Sequence, residues 1–466
     1  MFSPLGLMSV IAWLCCAAAH ADDWPQFRGP NGSGVSQARG LPVEFGPGRN
    51  LLWKVVVPPG KSSPILTERF VLLTAYRGKQ RIVLCLERAT GKLLWQRSQE
   101  AIGTVRTHPL NDPASPTPVT DGRNIYAFFP DFGLVSYQLV DGKERWKIPL
   151  GPFLTMHGVS ASPVTADGKV VLLIDQTKGS YLAAFDSESG KRVWKTERPD
   201  VVGGYSSPVV YRTDTGAEQI LVFSGRELAA YSAGSGQKLW GMGGLGYQPH
   251  TLPVIGNGLI YVNAFGSGEV FSGQQAFQSL DKNGDGRITP EEWTEDWKVA
   301  ALAWDQNRDG AMDKAEWQQF AQRTQGSESS LTAVRIGASD DHYQIGEAWR
   351  YTKSLPLIAS PLFYDGVVYL VKDGGVLTAL ESMTGRVLKQ GRLTGAMDRY
   401  FASPVAGDGK VFVVSEGCKV SVLAAAAGSW EILAVNDLGE SCYSTPALGQ
   451  GRVFVRTLGH LYAFGK

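Results

Sequence analysis

Two short segments in the second half of the chain carry oxygen-bearing side chains at the spacing of a calcium-binding loop. The first starts at Asp281, and Gly286 stands where such a loop makes its sharp turn. Because proteins bind Ca²⁺ through carboxylate, amide and carbonyl oxygens, the pattern predicts a metal site. The predicted ligands of this first loop are Asp281, Asn283, Asp285, the carbonyl of Arg287, Thr289 and a bidentate Glu292.

A second loop with the same pattern starts at Asp305, only 24 positions after Asp281. This spacing leaves room for a single shared helix, which we expect over 293–304. The residues at helical spacing on it, expected to form the core of the module, are Trp293, Trp297, Ala300 and Trp304. The predicted ligands of the second loop are Asp305, Asn307, Asp309, the carbonyl of Ala311, Asp313 and Glu316. The two loops together predict an EF-hand pair with structural calcium.

A separate group of polar and aromatic residues recurs shortly before proline positions that repeat along the chain. If the repeats surround a channel, these residues line its mouth and form a funnel. The funnel candidates are Arg106, His108, Asn111, His157, Tyr205, His250, Arg399 and Tyr400. One interpretation is a site for an anionic or sugar-like small molecule, with Arg106 and Arg399 as donors and the rings as stacking faces. The alternative is that these groups satisfy one another and ordered water.

The repeat that positions these residues is marked by a proline that follows a small or hydroxyl residue. Eight such prolines occur: Pro64, Pro118, Pro163, Pro208, Pro253, Pro361, Pro404 and Pro446. Most neighbours lie 42–54 residues apart, whereas Pro253 and Pro361 are 108 apart, so an insertion lies between them. The calcium loops fall in this gap. The sequence thus predicts eight repeats with the EF-hand pair inserted into one.

Each repeat continues with apolar strands, a glycine turn and a closing strand that usually holds tryptophan, as in Gly91 with Trp95 and Gly346 with Trp349. We expect a two-residue hairpin at the glycine and a tryptophan wedged between neighbouring blades. The last repeat ends before its outer strand, and 51–54 near the N-terminus can supply it. These features predict an all-β, eight-bladed β-propeller closed by its N- and C-terminal strands, with a small α-helical insert.

The glycine turn four residues before tryptophan, as at 89–95 and 187–194, resembles the pyrroloquinoline-quinone-like repeat of quinoprotein dehydrogenases and of a non-enzymatic outer-membrane assembly propeller. The resemblance covers nearly all of 50–466 outside the insert. The segment 24–30, Trp-Pro-Gln-Phe-Arg-Gly-Pro, looks like the mature start of a group of secreted bacterial propeller proteins. The resemblance implies a fold and leaves the chemistry open.

Two functions from different classes follow. The first is a binding or scaffold propeller that takes an unknown protein or small molecule at the channel mouth, with calcium in its EF-hand loops. The alternative is a pyrroloquinoline-quinone-dependent oxidoreductase acting on an alcohol or sugar, which would need a base and a second calcium site beside the quinone. No motif ties candidate carboxylates such as Asp112 and Asp398 together for that role. The net charge of +1, from 45 basic and 44 acidic residues, argues against a nucleic-acid partner.

Residues 1–21 read as a signal peptide, with an apolar run and Ala-His-Ala before Asp22. An uncleaved anchor is the alternative. We expect an exported protein, periplasmic or extracellular, with no transmembrane segment after cleavage and no lipid anchor. Of the remaining cysteines, Cys418 and Cys442 could bridge adjacent blades, and Cys85 is expected to be a buried thiol. The predicted segments are the signal peptide 1–21, an extension 22–48, propeller 49–270, EF-hand insert 271–325 and propeller 326–466.

Overall fold

The computed structural model describes residues 23–466 except 106, 154, 202, 214, 248, 267–273, 294–304, 306, 308, 325–327, 340–341 and 427–428. Three sequence predictions lie outside the described residues: the signal peptide 1–21, the funnel residue Arg106 and nearly all of the shared helix 293–304. The described residues form eight four-stranded antiparallel sheets and one two-stranded sheet. The predicted all-β, eight-bladed propeller with a small helical insert is confirmed.

Strand β1 is Leu51–Val56 and belongs to the last blade. Blade 1 contains β2 (Ile65–Leu66), β3 (Phe70–Arg77), β4 (Gln80–Glu87) and β5 (Leu93–Glu100). Blade 2 contains β6 (Val119–Thr120), β7 (Asn124–Phe129), β8 (Gly133–Gln138) and β9 (Glu144–Pro149). Blade 3 contains β10 (Val164–Ala166), β11 (Lys169–Ile174), β12 (Tyr181–Asp186) and β13 (Arg192–Glu197). Blade 4 contains β14 (Val209–Arg212), β15 (Glu218–Ser224), β16 (Glu227–Ser232) and β17 (Lys238–Met242).

Blade 5 is interrupted by the insert. It contains β18 (Val254–Gly256) and β19 (Leu259–Ala264), and the insert follows with α1 (Gln274–Leu280), β20 (Arg287–Ile288), β21 (Met312–Asp313) and α2 (Lys314–Thr324). The blade resumes with β22 (Ser330–Ser339) and β23 (His342–Tyr351). Blade 6 contains β24 (Leu362–Tyr364), β25 (Val367–Lys372), β26 (Val376–Glu381) and β27 (Val387–Arg392). Blade 7 contains β28 (Val405–Gly407), β29 (Lys410–Val414), β30 (Lys419–Ala426) and β31 (Ser429–Asp437).

Blade 8 joins the two ends of the chain. It contains β32 (Ala447–Gly449), β33 (Arg452–Arg456) and β34 (His460–Phe464), and β1 pairs antiparallel with β34 as its outer strand. Trp53 lies opposite Ala463 in this pairing. The first and last strands therefore close the ring, as the sequence predicted, and each covers an edge that would otherwise lie open.

The strands run alternately up and down, so the links between them fall on two faces of the propeller. The connection face carries the blade-to-blade connections, such as 101–118 and 150–163, and also the link from the second to the third strand of each blade. The turn face carries the remaining hairpin turns, such as those at Gly91 and Gly142. The insert joins β19 to β22, which are the second and third strands of blade 5. It therefore lies on the connection face.

Tryptophan side chains join neighbouring blades at the turn face. The ring of Trp95 packs against Gly142 of the next blade, where an added Cβ atom would lie 2.6 Å from the ring. The Trp95 indole N–H also donates a hydrogen bond to the carbonyl of Leu139 (3.0 Å). The same contact is made by Trp53 on Gly91, Trp146 on Gly190, Trp194 on Gly236 and Trp349 on Gly385. Glycine is needed there both for this close approach and for its positive φ.

The turns that present these glycines differ from the two-residue hairpins expected. In blade 1, the N–H of Glu87 donates to the carbonyl of Lys92 (2.8 Å), so the loop between them has four residues, and Gly91 occupies its last position with φ 75°. The assignment of Gly346 to such a turn is wrong, because it lies inside β23 opposite Arg335. The hairpin of β22 and β23 is ten residues long on each side and extends past the level at which other blades turn.

The N-terminal segment 24–36 lies across the channel on the turn face. Trp24 forms a bridge with β2 of blade 1, and Val35 forms one with β28 of blade 7. Between these points Arg28 is fully buried and donates from Nη2 to the carbonyl of Pro361 in blade 6 (2.8 Å). The segment thus connects blade 1 with blades 6 and 7 across the turn face.

The three cysteine side chains in the described part of the chain are buried. Cys418 lies in the β29–β30 turn of blade 7 and forms a disulfide with Cys442, in the connection from blade 7 to blade 8. Cys85 lies in β4 as a free thiol, and burial raises its pKa to about 12. The disulfide therefore ties the last connection to the body of blade 7, and Cys85 remains an un-ionised core residue.

Candidate functional site

The channel wall is built from the residue that precedes proline in each repeat. In seven repeats this residue carries a hydroxyl, which accepts a hydrogen bond from the neighbouring blade: Ser63 N–H donates to Thr117 Oγ1, and Thr117 N–H to Ser162 Oγ (both 3.0 Å). We call these seven the hydroxyl ring: Ser63, Thr117, Ser162, Ser207, Ser360, Ser403 and Thr445. Leu252 stands at the eighth position and offers no hydroxyl to the N–H of Ser207. The ring holds the first strands in register around the channel.

A cavity of about 470 Å³ lies in the channel, lined by the hydroxyl ring and by the connections above it. The apolar part of the lining is Phe27, Leu110, Met156, Leu252, Phe265, Leu357, Ile358 and Phe401. Phe27 enters from the N-terminal segment on the turn face, and the others come from the blades and their connections. The volume falls within the range of small-molecule sites, roughly 300–1,000 Å³.

Three histidines and a tyrosine form one side of the cavity, and we call them the histidine–tyrosine cluster. The rings of Tyr205 and His250 are stacked, with 5.0 Å between their centres and 8° between their planes. The His157 ring lies 5.2 Å from that of Tyr205 and 5.2 Å from that of His108. These four residues come from the connections before blades 2, 3, 4 and 5. The propeller thus brings together residues that are up to 142 positions apart in sequence.

Burial determines the charge state of this cluster. Burial, with a smaller contribution from His108, lowers the pKa of His157 to about 4, and burial raises the pKa of Tyr205. The His157 Nδ1 atom is buried and has no hydrogen-bond partner in the part of the chain that the structure describes. At neutral pH the His157 ring is therefore uncharged and can offer a hydrogen bond to a ligand in the cavity.

A cation lies next to this cluster, beside His108. Lys61 and Tyr443 come from the connections before blades 1 and 8, and Lys61 Nζ lies 4.7 Å from the centre of the Tyr443 ring. Lys61 also donates to the carbonyl of Pro109 (2.6 Å), and burial lowers its pKa while Asp112 opposes that shift. Lys61 is the one Lys, Arg, Asp or Glu among the described residues that line the cavity. The lining therefore favours a ligand with a negative charge.

The structure brings five of the predicted funnel residues together at the cavity: His108, Asn111, His157, Tyr205 and His250. Asn111 Nδ2 donates to the carbonyl of His157 (2.9 Å) and so joins two connections. Arg399 and Tyr400 lie elsewhere, which corrects that part of the expectation.

The reason lies in their local partners. The Arg399 guanidinium makes two hydrogen bonds of 2.8 Å to Glu416, and these raise its pKa. Tyr400 is buried, and its hydroxyl donates to the carbonyl of Ala396. Each side chain is held by a partner in blades 6 and 7, outside the cavity.

The first predicted calcium loop, 281–292, is closed around its own carboxylates. Glu292 Oε1 accepts hydrogen bonds from the N–H groups of Lys282 (3.0 Å) and Asn283 (3.1 Å), and Gly286 N–H donates to Asp281 Oδ2 (2.9 Å). Asp281 Oδ1 is buried and has no hydrogen-bond partner among the described residues. A buried carboxylate oxygen without a hydrogen-bond partner, close to other carboxylate and amide oxygens, fits a site for a hard cation such as Ca²⁺.

The second loop, 305–316, repeats this arrangement. Glu316 accepts from the N–H groups of Asn307 (3.2 Å) and Asp313 (3.0 Å), and Gly310 N–H donates to Asp305 Oδ2 (2.8 Å). Strands β20 and β21 join the two loops through antiparallel pairing. No three His, Cys, Asp or Glu side chains converge on one point in the described parts of the chain, because the loop carboxylates face backbone N–H groups.

Hydrogen bonding and one ion pair set the electrostatics of the two loops. Backbone hydrogen bonds, the one from Thr289 first, lower the pKa of Glu292, which therefore stays ionised as a metal ligand must be. Arg287 of the first loop forms an ion pair with Asp309 of the second loop, with 2.5 Å between Nη2 and Oδ1. A cation that binds Asp309 competes with this guanidinium, so the two loops are linked electrostatically.

The core of the EF-hand pair differs in composition from the sequence prediction. Trp293 is buried in it as expected, and Trp297, Ala300 and Trp304 lie outside the described residues. The other core side chains come from α1, β20, β21 and α2: Phe277, Ile288, Met312, Trp317 and Phe320. Two propeller residues, Met156 and Tyr247, complete this core. Sequence reasoning missed them because they lie 125 and 34 positions before the first calcium loop, which starts at Asp281.

Comparisons with known proteins agree with this architecture. The sequence profile described as outer membrane protein assembly factor BamB matches residues 37–155, 79–243 and 304–429, which together cover more than half of the chain. A second profile, described as EF hand, matches 274–295. No match was found among the curated proteins. No helix among the described residues is long and apolar enough to cross a membrane.

Several solved structures have a similar fold. BamB from Moraxella catarrhalis aligns with a TM-score of 0.54 at 12% identity, over 89% of this chain and 98% of that chain. Quinohemoprotein alcohol dehydrogenase from Comamonas testosteroni aligns with a TM-score of 0.56 at 12% identity, over 97% and 82%. A europium-containing methanol dehydrogenase gives 0.51 at 9% identity, over 96% and 99%. Identities this low establish a shared fold alone.

Proposed function

The chain belongs to the propeller family described as outer membrane protein assembly factor BamB, and we propose that it is an exported binding protein that holds calcium beside a small-molecule cavity. The observation that carries the proposal is the closed pair of EF-hand loops, in which Asp281 Oδ1 is buried without a partner among the described residues. Export is supported by the predicted signal peptide 1–21 and by the Cys418–Cys442 disulfide, since disulfides persist in oxidising compartments.

The ligands of the calcium ions are the residues predicted from the loops. Asp281, Asn283, Asp285 and Glu292 supply side-chain oxygens in the first loop, with corresponding positions in the second. When bound, calcium supplies a positive centre that replaces the backbone N–H groups as the partner of these carboxylates. The loops then become rigid, and the helices that flank them are fixed relative to each other.

The ligand of the cavity is proposed from its lining. Aromatic rings and aliphatic side chains suit a flat, apolar body, and Lys61 suits an anionic group at one end. The uncharged His157 and the hydroxyl ring add hydrogen-bonding positions that fix the orientation. We therefore propose an anionic aromatic small molecule, which narrows the anionic or sugar-like class expected from the sequence.

Calcium binding is tested by isothermal titration of the mature chain, 22–466. We expect two sites, with dissociation constants of about 10⁻⁴ to 10⁻³ M as in extracellular modules. Glu292→Gln and Glu316→Gln should each abolish one site, because each removes the bidentate carboxylate of a loop. Glu291→Gln is the matched control, since it changes the neighbouring, exposed glutamate. A chain that gives no binding heat and melts at the same temperature with calcium or with chelator would contradict the proposal.

The oxidoreductase alternative is tested with the same protein. Pyrroloquinoline quinone is an anionic aromatic molecule, so its retention alone agrees with either function. Reduction of an artificial electron acceptor by an alcohol or sugar, with quinone bound, would favour the oxidoreductase. Such turnover needs a base beside the cofactor, and none of the described lining residues is Asp or Glu.

A further inference from the structure

The EF-hand pair is seated on the connection face through two side chains of the propeller. Met156 and Tyr247 are each less than 10% exposed, and they pack in the same cluster as Trp317 and Phe320 of α2. Neither residue belongs to the insert. EF-hand modules commonly hold an apolar segment of a target protein on their hydrophobic side. Here the propeller itself supplies the side chains that occupy this position.

The same two connections also build the cavity. Met156 lines the cavity directly, and the next residue, His157, belongs to the histidine–tyrosine cluster. Tyr247 lies three positions before His250, whose ring stacks on Tyr205. A displacement of the EF-hand pair would therefore move or release side chains on both connections that the cavity depends on.

The neck of the insert lies at the cavity as well. Gly266 N–H donates to Ser329 Oγ (3.0 Å), which ties together the chain entering and leaving the insert. The residue before this tie, Phe265, lines the cavity and is 39% exposed. The module is thus attached to the cavity mouth covalently at its neck and by packing at Met156 and Tyr247.

The calcium loops pack against Met156 and Tyr247 through residues that alternate with the predicted metal ligands. Ile288 lies between the predicted ligands Arg287 and Thr289, and Met312 lies between Ala311 and Asp313. Both apolar side chains are completely buried in the cluster that holds Met156. Calcium that fixes the ligand positions must fix these two side chains, because they are part of the same short strands, β20 and β21.

We propose that calcium binding to the EF-hand loops is coupled to the cavity through Met156, so that calcium holds the module over the cavity mouth and orders the connections beneath it. This inference rests on the proposed function, because it requires that the loops bind calcium. Coupling is reciprocal: the free energy by which a change at Met156 weakens calcium binding equals the additional destabilisation that this change causes when calcium is bound.

Two measurements on the mature chain test the coupling. Hydrogen–deuterium exchange with calcium or with chelator should show slower exchange in calcium at 155–160, although no predicted calcium ligand lies there. Met156→Ala should weaken calcium binding at least fivefold in a titration, because the variant removes a contact that the calcium-bound module makes. The matched control is Met397→Ala, an exposed methionine in the connection before blade 7, which should bind calcium as the unchanged protein does.

The outcomes separate this inference from the proposed function. If the unchanged protein binds calcium but exchange at 155–160 does not respond and Met156→Ala keeps full affinity, the coupling is wrong and the calcium module stands alone. If the unchanged protein binds no calcium, both the proposed function and the coupling are wrong. The exchange measurement needs no variant, so the inference remains testable even if Met156→Ala fails to fold.

Discussion

Glu440 shows how much a single side chain contributes to the closure of this ring. It accepts hydrogen bonds from the hydroxyls of Tyr462 (2.6 Å) and Thr457 (2.5 Å), and Lys54 Nζ lies 3.5 Å away. Lys54 belongs to β1 and Tyr462 to β34, the two strands that close the propeller. Burial would raise the pKa of Glu440, but hydrogen bonds from Thr457, Tyr462 and His460 outweigh it and hold the pKa at about 2.

The lowered pKa makes stability depend on pH. Since the carboxyl is ionised in the folded protein down to about pH 2 and has an ordinary pKa of 4.5, its contribution is complete above pH 4.5 and is lost as the pH falls toward 2. Glu440→Gln should therefore lower the free energy of unfolding at pH 7 by about 1–2 kcal/mol, after allowance for solvent screening, and should lower the melting temperature accordingly. Between pH 4.5 and 2 its loss of stability should be shallower than that of the unchanged protein.

Glu431→Gln, at an exposed position of β31, is the control and should follow the unchanged protein at every pH. Parallel pH profiles for the unchanged protein and Glu440→Gln would show that Glu440 does not stabilise the pairing of β1 with β34. Calorimetric melting from pH 2 to pH 7 measures all three.

At this scale the sequence predicts the calcium loops better than the cavity. All predicted ligands of one loop come from twelve consecutive residues, so their type and spacing are visible directly. Cavity residues come from separate connections, and their position before proline does not determine where the side chain points. Arg399 has the expected position, yet Glu416 holds it away from the cavity.

The contact between tryptophan and glycine is the element that repeats around the propeller. In blade 2 Trp146 packs on Gly190 of blade 3, and its indole N–H donates to the carbonyl of Ser187 (3.1 Å). Trp240 of blade 4 departs from this pattern and donates to Gln219 Oε1 instead, since the extended hairpin of blade 5 places no turn glycine there. The sequence predicted the wedge but misplaced the Gly346 turn, because strand length is set by pairing between β22 and β23.

A methyl group on the turn glycine should separate the blades locally. At Gly190 an added Cβ would lie 2.7 Å from Trp146, whereas at Gly168, in the same blade, it would meet nothing within 4 Å. Both glycines have positive φ, 71° and 68°, so Gly168→Ala controls for backbone strain. We expect Gly190→Ala to cost about 1–3 kcal/mol more than Gly168→Ala in urea unfolding, the usual cost of overpacking. Equal costs would mean that the tryptophan contact adds nothing to stability.

At the scale of the whole molecule, closure by β1 is the feature on which the ring depends. The repeats predicted it, because the last one lacked an outer strand and 51–54 could supply it. The contact between the EF-hand pair and the propeller could not be predicted in this way. It depends on Met156 and Tyr247, which lie in the connections before blades 3 and 5 and carry no local signal of a contact with the insert.

Removal of the closing strand should open the ring. A chain of 57–466 lacks β1 and exposes the edge of β34, so we expect it to associate through that edge and to elute as oligomers in size-exclusion chromatography with light scattering. A synthetic peptide of 23–56, added during refolding, should restore the monomer because it supplies the missing strand in trans. A truncated chain that is monomeric and melts like the unchanged protein would show that β1 is dispensable.

The pairing of Trp53 with Ala463 also limits when the ring can close during synthesis of the chain. A strand made early must wait for a partner made about 400 residues later, a delay of about 20–80 s at ordinary translation speeds of 5–20 residues per second. During that time no complete ring can exist on the ribosome. Blades whose four strands are made earlier can fold first, whereas the closed ring forms only after residues 460–464 have been made.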